Sequence, residues 1–151
     1  VCYIGGWANN GFDEKRRIML DVFSEFKKTN LKCGFFINRN VSHEQEQKII
    51  SNSKVCLNVH DAYQRVLGLD TNERTFKSLG LNGLLVSDKI GQLNEIFSNV
   101  KTSNSSKEIV EYVVEYAKME HNDIQKIKNK NKQQVLKEHC YTNRIKYLLS
   151  V

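Results

Sequence analysis

The sequence predicts an α/β domain, a Rossmann-like parallel sheet with helices on both faces. Three observations carry this. Short apolar runs of four to seven residues alternate with stretches of helical periodicity along the chain. Several of the runs are nearly continuous in apolar residues, as in strands covered on both faces. Gly-Gly, Asn-Gly and two capping boxes fall where strand must give way to helix or helix to strand.

The elements are taken in chain order. Residues 1–6 read as a buried strand closed by the tight turn Gly5-Gly6. Residues 13–28 read as a helix with Ile18, Val22, Phe23 and Phe26 on one face. The second strand covers 31–38, centred on Gly34-Phe35-Phe36-Ile37. Ser42-x-x-Gln45 is a capping box that opens a short helix over 42–51. The third strand covers 54–60, and 61–71 reads as a loop. Residues 72–81 form a helix, closed by Asn82-Gly83 as a left-handed stop. The fourth strand is 83–88, a helical turn or two covers 92–97, and a short fifth strand covers 100–103. Ser105-x-x-Glu108 opens a helix carrying Ile109, Val110, Val113, Val114 and Ala117. Helical signal then runs from His121 to about Val151 with one break near His139. Right-handed crossovers stack these units into a doubly wound sheet. Ligands bind beyond the carboxyl ends of such strands. That puts Gly5-Gly6, Asn38-Arg39, His60-Asp61 and Ser87-Asp88 on one rim.

At 151 residues and 40% hydrophobic content the whole chain, 1–151, is expected to be one domain. Val1 opens directly into strand-like sequence, so the chain is expected to be a fragment of a longer one. No apolar run approaches the roughly 20 residues of a membrane span. Cys2, Cys33, Cys56 and Cys140 include no Cys-x-x-Cys pair, so buried reduced thiols and a cytoplasmic setting are expected. A net charge of +6 permits polyanionic partners without choosing among them.

Three stretches have the residue types for chemistry. Gly5-Gly6 precedes a helix bearing Lys15-Arg16-Arg17. Glycines admit a close ligand, a helix N-terminus favours phosphate, and arginine can grip it bidentately. There is neither G-x-G-x-x-G nor a Walker lysine, so a dinucleotide fingerprint and a P-loop are unsupported. Leu57-Asn58-Val59-His60 brings a histidine to the rim, where a structural role competes with a catalytic one. The stretch from Asn72 to Phe97 points Glu73 and Arg74 at the same rim.

That last stretch, with Asn72-Glu73-Arg74-Thr75-Phe76-Lys77-Ser78-Leu79-Gly80 at its head, resembles the R-x-F-E helix–strand element of retaining glycosyltransferases of the GT-B fold. It is most similar to the group 1 branch with CgeB-like proteins. His139-Cys140-Tyr141-Thr142-Asn143-Arg144 is similar to that branch's closing H-T-Y-x-x-R. Leu57-Asn58-Val59-His60 is similar to its L-N-[IV]-H strand, and the Gly-Gly opening to its F-x-G-[ST]. The resemblance spans essentially the whole chain, in order.

It implies the C-terminal, nucleotide-sugar-binding half of a two-domain enzyme, whose N-terminal half brings the acceptor. Gly5 and Gly6 would lie near the donor diphosphate, with Arg16 or Arg17 and Arg74 as its cations and His60 at the rim. The family's ribose-binding glutamate is replaced by Lys77, which cannot accept hydrogen bonds from hydroxyls. Glu73, one turn earlier, is the candidate substitute. Glu95 matches the family's G-G-x-P-E loop imperfectly; its alternative is a helix-start acid favouring the dipole. Neither a metal nor another cofactor is implied, and the fragment alone would be inactive.

Lys126, Lys128, Lys130, Lys132 and Lys137 read as a solvated helix face, with peripheral attachment to an anionic membrane as the alternative. Nucleic-acid binding is not expected, because few aromatics interleave these lysines. A degenerate, non-catalytic domain with a structural or partner-binding role is the main rival, on the strength of Lys77. A receiver-like domain is disfavoured because no acidic pair comes after the first strand.

Overall fold

The computed structural model of the chain describes residues 1–7, 14–68 and 70–151. Five strands form one sheet: β1 (Cys2–Gly5), β2 (Gly34–Ile37), β3 (Cys56–Asn58), β4 (Leu85–Ser87) and β5 (Lys101–Thr102). Their spatial order is β2-β1-β3-β4-β5, and every neighbouring pair is parallel. Parallel neighbours need crossovers, and helices supply them. These are α1 (Glu14–Phe26), α2 (His43–Asn52), α3 (Ala62–Leu67), α4 (Glu73–Gly80), α5 (Gly91–Ile96) and α6 (Ser106–Lys118). Then α7 (His121–Gln134) runs through a π-helical turn, Val135–His139, before α8 (Tyr141–Ser150). The α/β class with a helix-flanked parallel sheet is the one the sequence predicts.

Side chains alternate across each strand, so one sheet serves two cores. Tyr3, Leu57 and Val86 point to the face covered by Met19, Val22 and Phe26 of α1 and Ile109, Val110 and Val113 of α6. Cys2, Cys56 and Leu85 point to the other face, under Ile50 of α2, Leu79 of α4, Leu93 of α5 and Val135. Two covered faces explain the near-continuous apolar runs.

Several expectations are corrected. The span 61–71 contains a short helix, α3. Its backbone is closed at one end by Gln64 Oε1, which accepts the Asp61 N–H at 3.2 Å. Gly68 ends it at φ 65°. The buried face of α1 is Lys15, Met19, Val22 and Phe26, whereas Ile18 and Phe23 sit half-buried at the core margin. Asp13, the predicted first residue of that helix, lies outside the described residues. Lys128 is no solvated lysine: it is buried, and its Nζ donates to the carbonyl of Ser53 at 2.8 Å.

The turn chemistry holds with one exception. Asn82 takes φ 64° after α4, and the Gly83 N–H reaches Ser78 O at 2.8 Å. A Cβ on Gly83 would stand 2.6 Å from that carbonyl, which is why glycine comes next. The Ser42–Gln45 box is reciprocal. At α6, Ser105 caps the Glu108 N–H, but the Glu108 carboxylate turns away to Ser103 Oγ and Tyr112 Oη. All four cysteines are free, Cys2 and Cys56 facing each other across β1 and β3 with Sγ atoms 3.5 Å apart.

Candidate functional site at the carboxyl rim of the sheet

The strand order reverses between β1 and β3, and the polar residues of the rim concentrate there. In open parallel sheets this crevice is where ligands bind. α4 is aimed at it by its cap: Asn72 Oδ1 accepts the Thr75 N–H at 3.2 Å, fixing the first turn beside β3. Arg74 in that turn lies directly on Gly5. A side chain at Gly5 would overlap the guanidinium, with Arg74 Cζ 2.8 Å from the added carbon. Arg74 Nη1 donates to Asn58 Oδ1 at 3.0 Å, and its Cζ stands 5.3 Å from the centre of the Tyr3 ring. Tyr3 Oη in turn donates to Gly6 O at 2.9 Å. The Gly5-Gly6 turn, Tyr3 and Arg74 therefore form one unit that holds a half-exposed cation at the strand ends.

Behind Arg74 runs a chain of buried polar groups whose directions can be worked out from donors and acceptors. Asp88 Oδ1 accepts the His60 backbone N–H at 3.0 Å and the Ser87 hydroxyl at 3.1 Å. As a carboxylate it has only acceptors, so His60 Nδ1, 2.7 Å away, carries the proton. In the neutral ring Nε2 is then an acceptor, and it takes the Thr71 hydroxyl proton at 2.8 Å. Thr71 Oγ1 accepts from Thr75 Oγ1 at 2.7 Å, and Thr75 Oγ1 accepts from Asn58 Nδ2 at 3.1 Å. Asn58 Nδ2 also donates to Asn72 Oδ1 at 3.0 Å, and Asn72 Nδ2 returns to Asn58 Oδ1 at 3.1 Å. One continuous arrangement thus links Arg74 to Asp88. Burial on its own pushes the Asp88 carboxyl up, but the His60 ring and backbone bonds and the charge of Arg65 outweigh it and hold it below its ordinary value.

A second set of ion pairs ties α1 and α3 to this chain. Lys15, buried in α1, donates to Asp61 Oδ1 at 2.7 Å. Its burial lowers the ammonium from its ordinary value, against the raising effect of the Asp61 bond. Arg65 Nη1 reaches Asp88 Oδ2 at 3.2 Å, and its Nη2 lies 3.2 Å from Glu14 Oε1 without a hydrogen-bonding alignment.

Two clefts open beside the rim. One, of about 530 Å³, lies between α1, α3 and α6 and is lined by Glu14, Arg17, Asp21, Arg65, Asp88 and Lys89 among others. The other, of about 490 Å³, lies between α4 and the start of α8 and is lined by Thr71, Glu73, Phe76, Lys77, His139 and Arg144 among others. Arg144 Cζ stands 4.7 Å from the Phe76 ring centre, and the His139 ring packs tilted against the same ring at 5.3 Å. Helix α4 and the chain's closing His-Cys-Tyr-Thr-Asn-Arg segment therefore form one wall.

The residues singled out in the sequence divide accordingly. Gly5, Gly6, His60 and Arg74 come together, though His60 is wholly enclosed. Arg17 lines the first cleft; Glu73 and Lys77 line the second. Lys77 Nζ is 3.0 Å from Glu46 Oε1 of α2. Arg16 stands apart, its Cζ 5.2 Å from the Trp7 ring centre. Glu95 is exposed in the last turn of α5 and lines neither cleft, so it is no helix-start acid. Among the described residues, no three His, Cys, Asp or Glu side chains gather as a metal-binding group.

A family model described as "Glycosyl transferase-like" matches residues 10–150. The chain belongs to this glycosyl transferase-like family. No curated protein and no solved structure matches it. Within the glycosyl transferase-like domain, sequence reasoning missed Arg65, Thr71 and Thr75, and grouped Lys15 with the ligand-facing cations although it is buried against Asp61. The burial of Lys15 was within reach: it precedes Met19 by four residues and shares its helix face. The threonines carry no local signal, since their partners include groups on other elements.

Proposed function

We propose that this glycosyl transferase-like domain is the donor-binding half of a glycosyltransferase, holding a nucleoside diphosphate sugar at the carboxyl rim. Arg74 carries the reading. It is a cation fixed at the switch point between β1 and β3, braced by Asn58 and Tyr3, and still half-exposed. A guanidinium held there in advance stabilises the charge that builds on a departing diphosphate without reorganising. The missing side chain at Gly5 leaves room for the Arg74 guanidinium at the strand ends, and Glu73 and Arg144 offer polar contacts for the remainder of the donor in the adjoining cleft. The reading requires no metal. The acceptor side would come from another domain of a longer chain. Four free cysteines suit a reducing, cytoplasmic setting.

One observation favours a second reading, a degenerate domain kept for structure or partner binding. Lys77 stands where the resemblance calls for a ribose-binding glutamate, and its ammonium is engaged with Glu46. Calorimetric titration with UDP, GDP and their sugars separates the two. Donor binding predicts heat from at least one nucleotide, weakened about tenfold or more by Arg74→Ala. Silence from every nucleotide at millimolar concentration defeats it. Binding that appears only in Lys77→Glu establishes the degenerate reading.

A further inference from the structure

The last helix of the chain is amphipathic the wrong way round for a helix that serves the core. α8 buries no residue. Its single half-buried side chain is Asn143, whose Nδ2 donates to the carbonyls of Leu136 at 3.1 Å and Lys137 at 2.6 Å. At about 100° per residue, Tyr141, Ile145, Leu148 and Leu149 form one stripe roughly 100° wide. That stripe lies well round the helix from Asn143, and its members are 54–83% exposed. Arg144 flanks it on the side that leans on Phe76, and Lys146 flanks it on the other. Leu136, also exposed, and Lys137 are tied to the same helix through the Asn143 bonds.

The charge of the molecule is gathered in the same place. Residues 121–151 hold seven basic and two acidic side chains, a net of +5 against +6 for the whole chain. Lys126, Lys130, Lys137 and Lys146 are exposed. No helix among the described residues is long and apolar enough to cross a membrane. An apolar stripe edged by cations, with a tyrosine at its start, has instead the makeup of a helix that lies in the headgroup plane. Lys146 can reach outward past the apolar stripe to lipid phosphates, and the lysines of α7 add attraction to an anionic surface.

We propose that α8, backed by the cationic α7, is a peripheral docking surface for an anionic lipid bilayer. Tyr141 also lines the cleft between α4 and α8, but Ile145, Leu148 and Leu149 line neither cleft, so substitutions at Leu148 and Leu149 leave the proposed donor site intact. The test is co-flotation of the 151-residue chain with vesicles of equal parts phosphatidylcholine and phosphatidylserine, against phosphatidylcholine alone. The chain is expected to float with the anionic vesicles and to be released by high salt. Leu148→Glu with Leu149→Glu should weaken binding about tenfold or more. Because α8 buries nothing, this double variant should keep the melting temperature of the parent, which shows it is folded. A Leu148→Trp variant gives a second readout, a blue shift of its emission on anionic vesicles only. Absence of flotation overturns the proposal. So does flotation that the glutamates leave undiminished, or self-association through α8 with no lipid binding.

Discussion

Two halves of the rim lie side by side and are built on opposite terms. The half around His60 and Asp88 is closed: its side chains are buried, and each side-chain nitrogen and oxygen of His60 and Asp88 has a partner. The half around Gly5 and Arg74 is open: its cation is half-exposed beside a glycine turn. The side-chain polar atoms of His60 and Asp88 in the closed half are engaged with protein partners. What this half does is fix Asn58 and Asn72, and these fix Arg74. A buried polar network is costly to break and rigid when complete, so it suits a scaffold. A half-exposed cation keeps donors free for an anion.

The contrast breaks most visibly at Asp88. Asp88→Ala strips partners from Arg65, Ser87 and both His60 nitrogens that face it, leaving the largely buried Arg65 side chain with the partly exposed Glu14 as its remaining counter-charge. Urea unfolding should show a loss of about 3–5 kcal/mol. A loss near zero would mean the closed half is no scaffold.

The same carboxylate sets an acid limb. Its folded value lies below the ordinary 3.8. Its contribution is therefore complete above the unfolded value and is lost as pH falls through the folded one. Stability of Asp88→Asn measured down to about pH 2 should fall less steeply than that of the parent over this window.

Thr71→Val sits at the boundary of the two halves. It deprives His60 Nε2 of its donor and Thr75 of its acceptor, and should cost about 1–3 kcal/mol in the same unfolding measurement. The smallest effect belongs to the open half. Lys77 is a third exposed in its pair with Glu46, and Lys77→Ala should change stability by less than about 1 kcal/mol. A larger loss would make Lys77 a scaffold residue and move it across the divide.

The two halves also differ in how much of them the sequence revealed. The five strands and most helices were legible because a sheet with two covered faces writes nearly continuous apolar runs, and caps such as Ser42-x-x-Gln45 mark the helix starts. Gly5, Gly6 and Arg74 were legible from turn chemistry and from a helix start aimed at the rim. α3 was not, although Asp61-x-x-Gln64 and Gly68 bracket it. Its apolar residues Tyr63, Val66 and Leu67 are exposed, so no core-facing period announces it. The closed half was legible only as isolated residues. Asp88 meets His60 from 28 positions away and Thr71 meets it from 11. Such pairings arise from strand order, which no local pattern encodes.

The central claim is that a nucleotide occupies the open half. Amide chemical-shift mapping during a titration with UDP and GDP tests it most directly, because it locates the ligand as well as detecting it. The largest shifts are expected on Gly5, Gly6 and the first turn of α4 around Glu73 and Arg74. Shifts confined to the lysines of α7, or no shifts at saturating nucleotide, would contradict it.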